Sequence, residues 1–486
     1  MLNPPFHFKF SRSQRSPAVT KSGTIYYPIW LAYATGVLEK EGYSVKLYDA
    51  PAEGKTLEDV KNFVKKYKPD VIVCDTSTPS IYNDVKVASE LKKETGALTI
   101  LVGPHVSALP EETLKLSQDI DIICRKEYDY TLLDVVKTFE NKGNLSKVKG
   151  ITYRENGVIK STEDRPFIEN LDDLPFVSQV YSRHLNIRNY FYTNCQYPQV
   201  AIITGRGCPF GCPYCLYPNV MFGKRYRVRS VENVLDEFEW VEKNLPFVRE
   251  IFIEDDTFTV NKERIFKFCE EKIRRKIKLP FTANARFDLD YETLKILKKA
   301  GCRLLCVGFE TGDDEVMEIA KRGLKVSRAY KFMKDARKAG ILIHGCFMIG
   351  FPGETKEKAK KTIEFAKILN PDTAQFFPIM VYPGTPMYEW VKEKGFLETE
   401  DFSQWITKDG LHNSVVSYPE LSSKEQVALC DRARFEFYTR PKYLLYRLWR
   451  LFLHPVESQR ILRSIPTFIK YLIRGTFENS SNNTRL

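Results

Sequence analysis

The chain lacks any run of the roughly 18 to 20 uninterrupted apolar residues that a helix needs to span a bilayer. Its N-terminus also lacks the charged-then-apolar pattern of a secretory signal. These two absences argue against a membrane-spanning helix and against export, and they favour a cytoplasmic protein.

The cysteine pattern also gives no indication of a disulfide framework. The cysteines number 11, which is odd, and they are spread through a large chain without an export signal. Both features argue against structural disulfides. Free thiols are therefore available as metal ligands.

The composition is that of a globular protein with a basic bias. With 486 residues, 43% hydrophobic and 28% charged, the chain is long enough for two or three domains with buried cores. The formal charge of +12 comes from 74 basic and 62 acidic residues. Such an excess suits nucleic acid, an anionic membrane surface or an anionic substrate, and it selects none of them.

Residues 1–150 alternate short apolar runs with amphipathic stretches, which predicts an α/β domain with a doubly wound, Rossmann-like sheet. Ligands of such sheets bind at the carboxyl ends of the strands. The predicted ends are polar or small: Asp75-Thr76-Ser77-Thr78, Gly103-Pro104-His105 and Arg125-Lys126-Glu127. Ordinary loop chemistry explains them equally well. Leu2-Asn3-Pro4-Pro5 looks like a strand end without its strand, so either this edge of the sheet is abbreviated or the start codon is placed too late.

Three further regions follow. Residues 151–194 contain a hairpin with an Asn156-Gly157 turn and then an acidic, proline-containing stretch, and we interpret them as a linker. Residues 195–395 contain six strand-plus-loop units, which predict a partial (β/α)6 TIM-like barrel with its chemistry on the loops after the strands. Residues 396–486 are predicted to be a helical, basic extension.

The strongest signal is the C-x3-C-x2-C run formed by Cys208, Cys212 and Cys215 after the first barrel strand. Two prolines and a glycine disfavour a helix here, so the loop can direct three sulfurs to one centre. A 4Fe-4S cluster held by three thiolates keeps one iron open for a substrate. A zinc knuckle would need a fourth ligand nearby, and neither Cys195 nor His184 forms a recognisable pair with the run. Inert buried thiols are the other alternative.

This run, with the aromatic Tyr214 before its last cysteine, resembles the cluster motif of the radical S-adenosylmethionine (SAM) superfamily. Residues 1 to about 395 resemble the branch that joins a cobalamin-binding domain to a radical SAM barrel, which includes the anaerobic Mg-protoporphyrin IX monomethyl ester cyclase. The YYPIWLA segment and the basic tail are most similar to hopanoid-biosynthesis-associated members.

The resemblance implies a SAM site on the barrel loops. It places Glu254, Asp255 and Asp256 near the amino group of SAM, Arg286 near its carboxylate, Glu310 near the ribose, Gly350 and Glu354 near the adenine, and Tyr382 near the substrate. Asn284, two residues before Arg286, is also expected to bind the cofactor. Each has a simpler explanation: a solvated acidic loop, a surface salt bridge, a helix start at Glu354, or a rigid turn at Tyr382.

The resemblance also implies that cobalamin is surrounded by Ser77, Thr78, Gly103, Pro104 and His105. The sequence departs from the wider cobalamin-binding pattern because it has no D-x-H-x-x-G run. A lone histidine such as His105 is more often a hydrogen-bonding residue than a ligand. We therefore expect cobalamin without a protein histidine on the cobalt, and a vestigial domain that binds no cobalamin stays an alternative.

The implied reaction begins with reductive cleavage of SAM to a 5'-deoxyadenosyl radical, which removes hydrogen from an unactivated carbon. An external donor of flavodoxin or ferredoxin type would supply the electron. Methyl transfer from cobalamin and ring closure or rearrangement remain open as continuations. Two other classes are a non-catalytic, redox-responsive binding protein and an RNA methylthiotransferase, although no second cysteine set or added RNA-binding domain is visible and nucleic acid is not the expected partner.

The C-terminal region mixes aromatic and basic residues at helical spacing, as an interfacial helix does. Tyr443 to Leu453 is too short and too charged to span a membrane. We expect it to contact the inner face of the cytoplasmic membrane and to deliver a lipid-like substrate, such as a hopanoid, and the alternative is a helical cap on the barrel. The basic residues are Arg440, Lys442, Arg447, Arg450, Arg460, Arg463, Lys470 and Arg474.

Overall fold

Seven strands form the first sheet of the computed structural model, which describes residues 1–453, 465–466, 468–470, 472 and 475–476. The strands are β1 Leu2–Asn3, β2 Tyr48–Asp49, β3 Val71–Asp75, β4 Leu98–Val102, β5 Ile122–Cys124, β6 Ile151–Glu155 and β7 Val158–Ser161. The sheet order is β2-β1-β3-β4-β5-β6-β7, and β1 to β5 are parallel. The doubly wound α/β fold is therefore confirmed.

The abbreviated first strand does not lie at the edge of the sheet, contrary to one expectation. Leu2 pairs with Tyr48 on one side and with Cys74 on the other, so β1 is an interior strand of only two residues. Both of its residues are buried, because neighbours cover them on each side.

The hairpin that we placed in the linker instead extends the first sheet. β6 pairs antiparallel with β5, and β7 pairs antiparallel with β6. Asn156 and Gly157 both have positive φ, at 50° and 80°, as the expected tight turn requires. Burial on both faces explains the place of β6, since the consecutive residues Ile151, Thr152 and Tyr153 are all buried.

Helices cover both faces of this sheet, which explains why its parallel strands are continuous apolar runs. Local signals set their ends; for example, Thr56 and Asp59 form a reciprocal capping box at the start of α3. The helices are α1 Ile29–Lys40, α2 Ala50–Glu53, α3 Leu57–Tyr67, α4 Ile81–Thr95, α5 Pro104–Ala108, α6 Pro110–Lys115, α7 Asp129–Glu140 and α8 Val177–His184.

The second sheet is the predicted partial barrel. It has six parallel strands in the order β15-β14-β13-β12-β11-β8, and β9 and β10 form a separate antiparallel pair. The strands are β8 Gln199–Ile202, β9 Gly205–Arg206, β10 Arg227–Val228, β11 Glu250–Ile253, β12 Phe281–Ala285, β13 Cys302–Glu310, β14 Leu342–Ile349 and β15 Thr373–Pro378. The helices between and after them are α9 Leu216–Val220, α10 Val231–Asn244, α11 Lys262–Arg274, α12 Tyr291–Lys299, α13 Asp314–Ile319, α14 Val326–Ala339, α15 Lys356–Leu369 and α16 Pro386–Glu393.

The C-terminal region is helical only in part. Residues 396–422 form bridges and a short 3-10 helix over Phe402–Trp405, and α17 Ser423–Tyr438 and α18 Pro441–Leu453 follow. The expectation of a helical region from residue 396 is therefore wrong for residues 396–422, here called the strap, whose 3-10 helix packs against Thr78–Ser80 and α4 of the first domain. Of the basic residues predicted to contact a membrane, Arg460, Arg463 and Arg474 lie outside the described residues. Within the described ranges, no helix is long and apolar enough to cross a bilayer.

Buried polar contacts join the two sheets. Arg206 of the barrel pairs with Glu127 and Asp129, just after β5, at 2.9 and 2.7 Å, and Arg227 reaches Glu127 at 2.8 Å. All four side chains are almost fully buried. Glu127, at one of the strand ends predicted to bind a ligand, therefore holds the domains together instead.

Candidate active site

The cysteine loop folds back on itself directly after β9. Gly207 has φ of 86°, and a Cβ there would overlap the carbonyl oxygen of Arg225, so this position requires glycine. The Cys215 N–H donates to the Cys212 carbonyl at 3.2 Å. The Asn219 amide donates to the carbonyls of Cys212 and Cys215 at 3.1 and 2.6 Å. These bonds bring Cys208, Cys212 and Cys215 to the wall of one cavity.

That cavity has a volume of about 280 Å³ and lies at the carboxyl ends of the barrel strands. It is lined by three groups of the predicted residues: the three cysteines of the loop, five residues expected to contact SAM, and Tyr382. The five are Glu254, Asp256, Asn284, Arg286 and Glu310. Three predicted residues, Asp255, Gly350 and Glu354, do not line it.

The chemistry of the loop fits an iron-sulfur cluster better than a single ion. The loop offers thiols alone, the usual ligands of iron-sulfur clusters, and within the described residues no group of three His, Cys, Asp or Glu side chains is placed to hold a single metal ion. Burial raises the pKa of the Cys215 thiol, with Asp256 and Cys212 adding to the effect. Arg322 counters part of this negative charge, since its Nη1 lies 3.9 Å from Cys212 Sγ. Thiolates without a bound cation are thus unfavourable here.

The acidic loop after β11 divides its carboxylates between two sides. Glu254 and Asp256 face the cavity, where burial raises the pKa of Glu254 to about 7. Asp255 faces away: its carboxylate accepts from the Thr204 N–H and hydroxyl, both at 2.6 Å, and from the Tyr226 hydroxyl at 2.8 Å. Three donors thus occupy Asp255, which does not line the cavity, and its contact with SAM stays a prediction.

Arg286 is buried, so its pairing with Asp288 is not the surface salt bridge that was the alternative. Its Nε donates to Asp288 at 3.0 Å and its Nη2 to the Arg322 carbonyl at 2.7 Å. The guanidinium stacks 3.7 Å from the ring centroid of Phe210 in the cysteine loop. Its Nη1 is buried without a hydrogen-bond partner in the part of the chain that the structure describes.

Two further walls come from β12 and β13. The Asn284 amide donates to the Asp255 carbonyl at 3.0 Å, which ties β12 to the acidic loop. Glu310 ends β13 with φ of 63°, a left-handed conformation that is costly for a side-chain residue and recurs at binding sites. Burial raises the pKa of Glu310, and Arg322, 3.5 Å away, opposes this shift.

Glu354 stabilises the loop after β14, the fifth strand of the barrel, and does not line the cavity. Its Oε2 accepts from the N–H groups of Gly350 and Phe351 at 2.6 and 3.1 Å. Gly350 has φ of 107° and a Cβ there would overlap Gln426, so Gly350 is needed for packing. Thr355, not Glu354, caps α15. Neither residue lines the cavity, and their contact with the adenine stays a prediction.

Sequence reasoning missed several cavity residues. Arg15 Nη1 lies 2.8 Å from Glu254 Oε1, and its Nε lies 3.2 Å from Asp256 Oδ1. Ser16 Oγ lies 3.0 Å from the Tyr382 hydroxyl and 2.8 Å from His412 Nε2. Burial lowers the pKa of His412 to about 4, so its ring is neutral near pH 7. These residues lie outside the barrel strands and their loops, so no motif indicated them.

The five residues expected around cobalamin form a separate cluster at the carboxyl edge of the first sheet. Thr78 Oγ1 lies 3.2 Å from His105 Nδ1, and the His105 ring lies edge-on to Phe402 of the strap. All of Ser77, Thr78, Gly103, Pro104 and His105 are buried. Burial lowers the pKa of His105 to about 3. Nearby, the Tyr128 hydroxyl is buried without a hydrogen-bond partner among the described residues, as expected of a ligand-facing group.

Comparisons with known proteins agree with this geometry. The radical SAM superfamily model matches residues 202–366, and the B12 binding domain model matches residues 15–136. An uncharacterized methyltransferase of Pyrococcus horikoshii is 32% identical over 425 residues, 87% of this chain and 90% of that protein. The anaerobic magnesium-protoporphyrin IX monomethyl ester cyclase of Cereibacter sphaeroides is 28% identical over 392 residues, 78% of this chain and 62% of that protein.

A solved structure shares the fold. TsrM of Kitasatospora setae, a radical S-adenosylmethionine methyltransferase with cobalamin and a 4Fe-4S cluster bound, matches with a TM-score of 0.69. The match has 17% identity and covers 84% of this chain and 86% of that chain. An open parallel barrel with a three-thiol loop defines a radical SAM enzyme. This chain belongs to the cobalamin-dependent branch of that superfamily, whose cofactors are a 4Fe-4S cluster, SAM and cobalamin.

Two polar atoms on the cavity wall that lack a hydrogen-bond partner among the described residues fit SAM. Glu254 Oε2, like Arg286 Nη1, is buried without a partner in the described chain. One is a free acceptor and the other a free donor, and they match the ammonium and carboxylate groups of an amino acid such as the methionine part of SAM. Likewise, the Tyr128 hydroxyl after β5 is buried without a partner among the described residues and is free to bond a ligand at the carboxyl edge of the first sheet.

Proposed function

We propose that this enzyme transfers a methyl group to an unactivated carbon of an apolar, lipid-type substrate. The observation that supports the reaction class is that one cavity brings the three thiols of the loop, three carboxylates and the buried Arg286 together. The choice of methyl transfer is supported by the name of the 32% identical relative, a methyltransferase. Ring formation is the second candidate because the next relative is named a cyclase.

In this proposal each cavity residue has one task. Cys208, Cys212 and Cys215 would hold the cluster, and Arg322 would moderate the negative charge of the thiolates. Glu254 and Asp256 would pair with the amino group of SAM, and Arg286 with its carboxylate. The bound cofactors supply reductive cleavage of SAM and a methyl carrier, and an external donor of flavodoxin or ferredoxin type supplies the electron.

Glu310, Asn284 and Tyr382 would position the reactants. Glu310 presents a carboxylate that accepts hydrogen bonds from ribose hydroxyls. Asn284 holds the acidic loop against β12. Tyr382, hydrogen-bonded to Ser16, offers its ring and hydroxyl to the substrate. Ser77, Thr78, Gly103, Pro104 and His105 would form the cobalamin edge without a histidine ligand to cobalt.

The proposed lipid substrate is supported by the surface of α18. One side of this helix packs on the barrel, where the Tyr446 hydroxyl donates to Asp372 at 2.7 Å. The other side presents Leu445, Leu448 and Trp449, which are 68%, 56% and 61% exposed. Exposed apolar residues next to Lys442 suit an anionic membrane surface. We therefore propose peripheral contact with a membrane as well as packing on the barrel.

Anaerobic incubation of the reconstituted enzyme with SAM, dithionite and a lipid extract tests the reaction. Methyl transfer predicts both 5'-deoxyadenosine and S-adenosylhomocysteine, whereas ring formation predicts 5'-deoxyadenosine alone. Neither product should form with Cys212→Ala. A wild-type enzyme with an intact cluster that forms neither product would contradict the proposal and favour a binding protein.

A further inference from the structure

A second cavity of about 380 Å³ lies behind the reaction cavity. Its walls come from β15, α17, α18 and described residues between 465 and 476. Apolar side chains such as Val427, Tyr443, Leu444 and Phe468 dominate it. This volume is within the range of sites that enclose a small organic ligand. None of the predicted site residues lines it, so neither the SAM site nor the cobalamin edge accounts for it.

The two cavities share a wall. Six residues line both of them: Asn194, His344, Gln375, Phe377, Pro378 and His412. The polar members of this shared wall are already bonded to protein groups; His412, for example, contacts Ser16, and His344 Nε2 lies 3.2 Å from Gln375 Oε1. Because these polar groups already have partners, the part of a ligand that lies against the shared wall needs no charged group. The two cavities are therefore adjacent, and the part of a bound molecule nearest the shared wall can be apolar.

All charged residues on the described wall of the second cavity are basic: Lys21, Arg434 and Arg447. Lys21 and Arg434 share Asp431, at 2.7 and 2.5 Å. Arg447 lies on α18, 6.0 Å from the ring centroid of Tyr443, and no carboxylate of the described chain lies within ion-pair distance of it. The helix side of the cavity therefore has a cation available, whereas the strand side adjoins the reaction cavity.

We infer that this second cavity binds the apolar body of an anionic amphiphile, with its acidic group at Arg447 and its apolar end directed past Phe377 and His412 to the reaction cavity. This inference rests on the proposed function and specifies its substrate class. It assigns the two sides of α18 to different tasks. Tyr443, Leu444 and Arg447 line the cavity, whereas Leu445, Leu448 and Trp449 do not.

The test uses cis-parinaric acid, a fluorescent fatty acid, with reconstituted full-length enzyme and no vesicles. Leu444 and Leu445 are a matched pair, because both are apolar and at least half exposed, at 50% and 68%, on the same helix. Leu444→Gln should weaken binding about fivefold through loss of apolar contact, and Leu445→Gln should leave it unchanged. Val427→Trp, which fills the cavity, should abolish it if circular dichroism shows a folded protein. Equal effects of the two leucine substitutions would overturn the inference.

The charge at Arg447 is tested separately. Arg447→Gln should weaken binding of the acid about fivefold, as expected for a partly exposed ion pair, and should leave binding of its methyl ester unchanged. Equal binding of the acid and the ester by the wild-type enzyme would overturn the assignment of an anionic ligand.

The direction of the bound molecule has its own readout. Stearic acid with a nitroxide near its methyl end should show stronger relaxation enhancement by the reduced cluster than stearic acid labelled near its carboxyl group. The reverse order would contradict the proposed orientation. These measurements do not require turnover, so an enzyme that binds the probes in this way but transfers no methyl group would refute the proposed reaction and leave the cavity assignment intact.

Discussion

Arg15 Nη1 lies 2.8 Å from Glu254 Oε1, so an arginine from the N-terminal segment pairs with the acidic loop of the barrel. The same guanidinium donates to the carbonyls of Glu254 and Asp255, both at 2.9 Å. Burial opposes its charge, but Asp256 and Glu254 outweigh burial and raise the pKa of Arg15. The first domain thus contributes directly to the proposed amino-group site of SAM.

This pair predicts a pH dependence of SAM binding. Burial raises the pKa of Glu254 to about 7, and Arg15 opposes that shift. A carboxylate that pairs with an ammonium group must be deprotonated, so affinity for SAM should fall as the pH drops below about 7. Arg15→Gln removes the opposing charge and should move this midpoint to higher pH.

Isothermal titration with SAM across pH, in the presence of the cluster, measures that midpoint. Lys262→Gln is the control, because Lys262 pairs with Asp290 outside the cavity. A midpoint that does not move in Arg15→Gln, or that moves to lower pH, would show that Glu254 does not control the affinity.

Cluster content should depend on the three cysteines of the loop. The reconstituted enzyme should hold about four irons per chain, and Cys208→Ala, Cys212→Ala or Cys215→Ala should each abolish the cluster. Cys302, Cys306 and Cys346 are the controls; Cys306 and Cys346 also line the cavity, which makes them stringent ones. Iron and sulfide analysis measures the cluster content. If a control variant lost the cluster while a loop variant kept it, the assignment of the three loop cysteines as cluster ligands would be wrong.

Cobalamin should bind without histidine ligation. His105 is 3% exposed, and burial lowers its pKa to about 3, while its ring packs against Phe402. His105→Ala should therefore leave the absorption spectrum of bound cobalamin unchanged. Electron paramagnetic resonance of the reduced cofactor provides the check: a nitrogen splitting on cobalt that disappears in His105→Ala would refute this prediction.

Membrane contact should depend on the outer side of α18. The full-length enzyme should float with anionic liposomes at low salt and less so at high salt, because screening weakens attraction between lysine or arginine and lipid headgroups. Replacing Leu445, Leu448 and Trp449 by serine should abolish flotation and leave the binding of cis-parinaric acid intact.

Ile368→Ser is the matched control, since Ile368 is 64% exposed on α15. Point substitutions are preferable to a truncation near Asp431, because Asp431 contacts Lys21, and Tyr438 beyond it accepts from Ala374 of the barrel. Flotation that survives the triple substitution would place the membrane contact elsewhere or exclude it.

The sequence by itself determined the fold class, the six barrel strands and the cysteine loop. Parallel strands buried on both faces are continuous apolar runs, and the spacing of Cys208, Cys212 and Cys215 within one loop depends only on neighbouring residues. Local turn chemistry likewise identified the Asn156-Gly157 hairpin, although not the sheet that it joins.

Only the tertiary structure decided which side chains share the cavity. Glu254 and Asp255 are adjacent in sequence, yet successive side chains point to opposite sides, so Glu254 faces the cavity and Asp255 binds Thr204. Arg15 and His412 reach the cavity from segments some 240 and 160 residues from the acidic loop, and no local pattern encodes such a distance. The physical reason is that hydrogen bonds and burial between distant segments depend on packing, whereas strand periodicity and loop spacing are local properties of the chain.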